Sequence, residues 1–478
     1  MENSIQFKTR ERVVEHGEVL TAQREVKAMC DLVKEESERI DSRILEPACG
    51  EGPFLQEILK RKLETAISRD FETASIAALS SLFGIELLED NAKICRDILF
   101  NIWKEAYDRY GEHRKDVEES ARSIVETNII CGDALKLQHQ EFDVIIGNPP
   151  YQKGLYHRFI SVAIALNPHY LVMITPSRWM TKQSEGIPRE WVDELLYSNH
   201  FRVIHDFEKS EDCFPGVLVT GGVSYFLYDR DYYGKCDYFY HFAKDIKVVS
   251  RNDYLDAKSA GIVIRDPQAY SIIEKITAIE GNYYLKKSDN FSGLVSPKDF
   301  YSNKKKLTSS WRGYSKKKDD VHYIKCFLND SIHNIAFGWV KESDIPKNIE
   351  TKEFHRVYIP AANNSTRRIL GQPFYGEPNS VCSQTYLVIG YNSMHRLTEV
   401  QCDNIITYIR TKFFRYLVSI KKKTQNGPRS VYQFVPLQDF SKPWTDEELY
   451  RKYNLSEEEI AFIESAIRPL TSFEDVWL

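Results

Sequence analysis

Arg43-Ile44-Leu45-Glu46-Pro47-Ala48-Cys49-Gly50-Glu51-Gly52-Pro53-Phe54-Leu55 reads as a short apolar strand, a turn carrying two glycines and the start of a helix. In an open α/β sheet such a turn, at the carboxyl end of a strand, is where a nucleotide-like ligand binds. Gly50 and Gly52 are expected to let the backbone approach that ligand closely. The helix starting near Pro53 is expected to aim N–H groups at a ligand carboxylate. The G-x-G spacing lacks the third glycine of the dinucleotide fingerprint, which argues for a nucleoside without a pyrophosphate.

Working outward, two acidic strand tips follow in the order such a site needs. Phe83-Gly84-Ile85-Glu86-Leu87 reads as the next strand, with Glu86 placed to accept hydrogen bonds from both hydroxyls of a ribose. Ile129-Ile130-Cys131-Gly132-Asp133-Ala134 ends another strand at Asp133, placed to accept from an adenine amino group. A fourth apolar run, Phe142-Asp143-Val144-Ile145-Ile146-Gly147, leads directly into Asn148-Pro149-Pro150-Tyr151. Two consecutive prolines fix two φ angles near −65° and supply no N–H, so the turn offers carbonyl oxygens and the Asn148 amide without competing donors. That is an acceptor site for an NH2 group. Tyr151 beside it is a planar aromatic on which the ring carrying that amine can stack.

The order Glu46-Pro47-Ala48-Cys49-Gly50-Glu51-Gly52, Glu86, Asp133, Asn148-Pro149-Pro150-Tyr151 resembles the S-adenosylmethionine-dependent adenine-N6 DNA methyltransferases of bacterial restriction-modification systems. It resembles most the gamma-class arrangement, in which cofactor motifs precede the catalytic motif and a target recognition domain comes last. His16-Gly17-Glu18-Val19-Leu20-Thr21 is similar to the family's amino-terminal motif, which implies that Thr21 helps hold the methionine end of the cofactor. Ala22 stands where family members usually have proline. Phe214-Pro215-Gly216-Val217 resembles the motif whose phenylalanine packs against an extruded base, alongside Tyr151. Phe159, Trp179, Tyr225 and Phe226 read as ordinary core aromatics. Ser380-Val381-Cys382-Ser383-Gln384-Thr385-Tyr386 and Thr411-Lys412-Phe413-Phe414-Arg415 are similar to the recognition half of such enzymes.

The expected architecture is a Rossmann-like, doubly wound α/β methyltransferase sheet over residues 1–250. A mixed α+β target recognition domain is expected over 251–478. A hydrophobic fraction of 42% in 478 residues can build two cores. Nine cysteines show no C-x-x-C pair and no histidine at zinc spacing, so no metal is expected. No apolar run approaches membrane-spanning length and the first residues lead into charge. A cytoplasmic protein with no membrane partner is expected.

The formal charge of −5 hides an asymmetry. Residues 1–240 hold 29 Lys+Arg against 41 Asp+Glu, and the rest of the chain holds 35 against 28. The basic residues of the second half cluster as Lys304-Lys305-Lys306, Lys316-Lys317-Lys318 and Lys421-Lys422-Lys423, interleaved with Trp311, Arg312, Tyr314 and Tyr323. Arg410, Lys412, Arg415 and Arg429 lie near in sequence. Phosphate contacts to double-stranded DNA are expected there. Gln384, Arg367, Arg368, Asn363, Asn364 and Gln425 are polar loop candidates for base readout. An amphipathic helix is expected from Val400 to Ser419 and an acidic one from Asp446 to Ala466.

The expected chemistry is methyl transfer from S-adenosylmethionine to adenine N6 in DNA, by a monomer acting alone or beside a separate restriction endonuclease. Asn148 Oδ1 and the Pro149 carbonyl hold the amino hydrogens, and the base is extruded to reach them. Alternatives are a bifunctional enzyme with its own nuclease, a methyltransferase for RNA or protein glutamine, which share the tetrapeptide, and a binder without turnover. Asp256-Ala257-Lys258 and Glu350-Thr351-Lys352 fit a nuclease tripeptide, but its abundance by chance makes them uninformative.

Overall fold

The computed structural model describes residues 21–138, 140–182, 186–242, 248–256, 260–330, 335–363, 368–392, 396–422 and 425–470. Two compact units divide at Arg265 and Asp266.

The first unit is built on nine strands: β1 (Ile44–Glu46), β2 (Leu82–Glu86), β3 (Ile129–Cys131), β4 (Val144–Gly147), β5 (Tyr170–Pro176), β6 (Phe201–Phe207), β7 (Val223–Asp229), β8 (Cys236–His241) and β9 (Val248–Asp253). Their spatial order is β3-β2-β1-β4-β5-β7-β6-β8-β9. β1 to β5 pair parallel with one another, and β7 runs antiparallel to both β5 and β6. Buried parallel strands need apolar side chains on both faces. Ile44, Val144, Ile146, Val172 and Ile174 pack into one core, while Leu45, Ile145, Leu171 and Met173 pack into the other. Successive residues of a strand thus feed opposite layers, which is why these runs read as continuously hydrophobic.

The helix Pro53–Ala66 leaves β1 as expected, with Pro53 in its first turn and Gly52 left-handed at φ +77° just before it. Glu89–Tyr110 follows β2 and contains the helical stretch read from 91 to 103. The expected boundary at 250 falls inside β9, which pairs antiparallel with β8. Every second residue of β9 is exposed, so it carries little hydrophobic signal. Arg265 closes the unit by a bidentate ion pair to the fully buried Asp206 of β6, 2.7 Å from each carboxylate oxygen.

The second unit holds two three-stranded sheets. One is ordered β11-β10-β14, from β10 (Ile324–Asp330), β11 (Ile335–Val340) and β14 (Ser380–Cys382). The other is ordered β13-β12-β15, from β12 (Arg356–Pro360), β13 (Phe374–Gly376) and β15 (Tyr386–Ile389). Each long helix expected near the carboxyl end is two helices. Glu399–Arg410 ends where Thr411 turns extended (φ −61°, ψ 149°) and caps Lys412–Lys421 by accepting from Phe414 N. Asp446–Lys452 is separated from Glu457–Ala466 by left-handed Asn454 and a Ser456/Glu459 capping box. Apolar periodicity runs through both breaks because both members of each pair bury a face. Among the described residues no helix is long and apolar enough to cross a membrane.

Candidate active site

Because β3, β2, β1 and β4 are adjacent and parallel, their carboxyl ends lie along one edge of the sheet. Glu46, Glu86, Asp133 and Asn148 sit at those four ends and line one cleft of about 240 Å³. Thr21, Pro47, Ala48, Gly50 and Pro150 line it as well. Gly52, Pro149, Tyr151 and Phe214 do not.

Gly50 has φ +53°, and a Cβ built there would meet nothing within 4 Å, so its backbone faces open space. Gly52 differs from expectation. Its added Cβ would stand 2.5 Å from Cys95 Sγ, so this glycine lets the turn close on the helix Glu89–Tyr110 rather than on a ligand. Gly52→Ala is expected to destabilise the fold by about 1–3 kcal/mol through the left-handed φ and the clash. Urea unfolding checks this, and an unchanged midpoint would contradict it.

The two carboxylates of the central strands hold the turn. Glu46, 1% exposed, accepts from Leu55 N at 3.3 Å, so it satisfies one of the helix N–H groups expected to meet a ligand. Burial pushes its carboxyl pKa well above the ordinary value, against the backbone donors that lower it. Glu86 accepts from Gly50 N at 2.8 Å through one oxygen and from Leu88 N at 2.9 Å through the other, tying the glycine turn to the tip of β2. Asp133 accepts from Leu135 N at 3.0 Å and caps the short turn Ala134–Lys136.

Asn148 donates from Nδ2 to Thr21 Oγ1 at 3.2 Å. Tyr151 is wedged between the two cores. Its hydroxyl donates to the Ile174 carbonyl at 3.3 Å, and burial pushes its phenol pKa well up. Its ring meets Tyr156 and Phe214 edge-on, with centroids 6.3 and 6.2 Å away. Phe214 is 0% exposed, so what it touches here is Tyr151 and the core. Ser210 holds the turn that carries Phe214 by donating to the Val217 carbonyl and accepting from Val219 N.

The apolar walls were missed from sequence: Ile85, Leu88, Leu135, Leu155 and Phe159 also line the cleft. Phe159 belongs both to the core, as expected, and to this wall. The readable signal was leucine directly after the strand ends, in Glu86-Leu87-Leu88 and Asp133-Ala134-Leu135, where a solvated loop would be polar.

In the second unit Lys304, Lys305, Lys316, Lys317 and Lys318 are exposed. Lys306 instead donates to the Ser343 carbonyl and pairs with Asp344 at 3.2 Å. Lys318 lies over the Trp339 ring, 5.3 Å from its centroid. Lys421 donates to Gln433 Oε1, and burial lowers the Lys422 pKa. Arg415 is the clearest departure. It is 1% exposed and spends its guanidinium on the carbonyls of Arg368, Arg410, Thr411 and Arg468, so it braces the helices and is withdrawn from any external phosphate. Lys412 pairs with Glu464, and Gln384 donates to Ser309 Oγ. Residues 16–20 of the amino-terminal motif, Lys423, Asn364 and Arg367 lie outside the described residues.

Residues 65–155 and 152–214 match the Eco57I restriction-modification methylase family. The matched region carries Glu86, Asp133, Asn148-Pro149-Pro150-Tyr151 and Phe214; Thr21 and the glycine turn lie before it. An uncharacterized adenine-specific methylase of Mycoplasma pneumoniae is 39% identical over 107 residues, 20% of this chain and 25% of that protein. The chain is also similar to the DNA-bound type ISP restriction-modification enzyme LlaBIII, at 11% identity and a TM-score of 0.46, over 95% of this chain and 40% of that one. The M protein of the type I restriction enzyme EcoKI gives 13% identity and a TM-score of 0.34, over 47% of this chain and 48% of that one. This chain thus spans a quarter to about half of these relatives.

Proposed function

We propose that this chain is a site-specific DNA methyltransferase that transfers a methyl group from S-adenosylmethionine to the N6 amino group of adenine. The observation that carries this reading is the convergence of Glu46, Glu86, Asp133 and Asn148 from four adjacent strand ends on one cleft, which Pro150 of the Asn-Pro-Pro-Tyr turn also lines.

The residues present fit the cofactor. Gly50 leaves its flank of the cleft open, and Ile85, Leu88 and Leu135 give the apolar wall an adenine ring needs. Glu86 already accepts two N–H groups, yet a carboxylate has about four acceptor positions, which leaves capacity for ribose hydroxyls. Asp133 would accept from the cofactor's adenine amine, and Glu46, Pro47, Ala48 and Thr21 would enclose its amino-acid end. S-adenosylmethionine supplies an electrophilic methyl group.

The rest is work for the chain. An adenine amino lone pair is delocalised into its ring and is a poor nucleophile. Asn148 Oδ1 and the Pro149 carbonyl, as acceptors for its two hydrogens, favour the tetrahedral nitrogen needed for attack. Extruding the base costs a few kcal/mol. Stacking on Tyr151, at roughly 1–3 kcal/mol, offsets much of it. Phe214, edge-on to Tyr151, helps hold that ring in place. The proton leaves afterwards to water, so no histidine base is invoked.

The second unit is proposed as the target recognition domain. Lys304, Lys305, Lys316 and Lys317 are exposed members of its lysine clusters and natural partners for phosphates. Changing each to glutamine is expected to flatten the dependence of log affinity for DNA on log salt by about 0.9 for every phosphate left without its lysine. Lys306→Gln is expected to leave that slope unchanged, because its charge is already spent on Asp344. Equal slopes for all five variants would remove this assignment.

The deciding experiment incubates the chain with S-adenosylmethionine and unmethylated mixed-sequence DNA, digests the DNA to nucleosides and analyses them by mass spectrometry. N6-methyldeoxyadenosine is the expected product. Transfer to RNA or to a protein glutamine instead would keep the catalytic cleft and overturn the proposed partner.

A further inference from the structure

A primary amide is nearly symmetric in shape and opposite in hydrogen bonding at its two ends. Asn148 works as an acceptor only if Oδ1, rather than Nδ2, meets the substrate amine; a half-turn about Cβ–Cγ would set two N–H groups against two N–H groups. A neighbouring hydrogen-bonding group can decide between these orientations.

One such neighbour is Thr21, which receives Nδ2 at 3.2 Å across a sequence separation of 127 residues. Thr21 is placed independently of Asn148. It leads into the helix Gln23–Asp31, whose Val26, Met29 and Cys30 are buried, and Gln23 donates to Glu57 of the helix Pro53–Ala66 at 3.1 Å. A hydroxyl alone is indifferent, since it can accept from Nδ2 or donate to Oδ1. It loses that freedom once its single proton is given elsewhere. Thr21 lines the same cleft as Glu46 and Gly50, so an anionic acceptor bound there can take that proton and leave the oxygen as acceptor only.

We propose that Thr21 is a positioning residue whose hydroxyl couples occupation of the cofactor cleft to the orientation of the Asn148 amide. This rests on the methyltransferase reading above and adds to it. An occupied cleft holds Nδ2 on Thr21 and turns Oδ1 toward the target base, so cofactor and base reinforce each other's binding. By reciprocity, the factor by which cofactor tightens DNA binding equals the factor by which DNA tightens cofactor binding.

The test uses the full chain and the DNA site found by the nucleoside experiment. Thr21→Val keeps the shape and removes the hydroxyl; Thr21→Ser keeps the hydroxyl. With both ligands saturating, the single-turnover methylation rate of Thr21→Val is expected to fall at least about tenfold, the size of one lost hydrogen bond of about 1.4 kcal/mol. Thr21→Ser is expected to stay within about threefold of wild type. In equilibrium binding, S-adenosylhomocysteine is expected to tighten DNA binding by the wild type and by Thr21→Ser, and to leave Thr21→Val unchanged. If the valine variant is unfolded by circular dichroism, Thr21→Ala carries the same comparison. A valine variant that loses only cofactor affinity, with a wild-type rate at saturation, would overturn the coupling while leaving the enzyme reading intact. A wild type that binds cofactor and methylates no DNA would overturn both.

Discussion

Asn148→Ala is expected to reduce methyl transfer by at least about 10²–10³-fold while cofactor affinity stays within about threefold. Removing one preorganised partner of a developing charge has an effect of this size in other enzymes. The asymmetry between the two measurements carries the argument. Glu46, Glu86 and Asp133 are held by backbone donors at Leu55, Gly50, Leu88 and Leu135, none of which depends on Asn148. The cleft therefore survives the substitution, and only the acceptor at its rim is lost. Single-turnover rates with the cofactor affinity measured by calorimetry test both halves. Near-normal turnover by Asn148→Ala would refute the proposed role of the tetrapeptide, whereas a collapse of cofactor affinity would mean that Asn148 builds the cleft.

Asp206→Ala is expected to destabilise the first unit by about 3–5 kcal/mol, because it leaves the Arg265 guanidinium in the interior without its counter-charge. Asp206 has no exposed surface. It receives Arg265 twice, the Ser177 hydroxyl at 2.6 Å and the Tyr238 phenol, so four donors converge on one carboxylate. Arg265 also donates to the Gly221 carbonyl at 2.7 Å, at the far end of the segment that carries Phe214. Loosening this network should therefore also loosen the support behind Tyr151. Urea unfolding of Asp206→Ala and of Asp206→Ala/Arg265→Met checks the assignment: the double variant should recover part of the loss by removing the stranded charge. A change below about 1 kcal/mol in the single variant would mean that water replaces the carboxylate.

The parts of the site that could be read from sequence were those where chemistry is written at a strand end. Apolar runs closing on Glu46, Glu86, Asp133 and Asn148 carry both the fold and the cleft, because buried parallel strands leave only their tips for polar atoms. Other features depend on what lies across space. Gly50 and Gly52 are two positions apart in one motif, yet one faces the cleft and the other Cys95, a partner supplied by a helix some forty residues on. Arg415 and Lys306 look like their basic neighbours until Asp344 and a ring of carbonyls claim them. The two helix breaks were locally legible, in the Ser456 capping box and in Thr411 as a cap, but the continuing apolar period outweighed them.

The strand order has a consequence for how the cleft is assembled. Residues 44 to 131 pair among themselves as β3-β2-β1, and residues 170 to 253 as β5-β7-β6-β8-β9. Within the sheet, among the described residues, the two blocks are joined by β4, whose four residues pair with β1 on one side and β5 on the other. β4 also ends at Asn148. The Asn148 amide is thus carried by the strand that joins the two blocks of the sheet. Pairing of β4 on both sides therefore fixes where Asn148 stands relative to Glu46, Glu86 and Asp133.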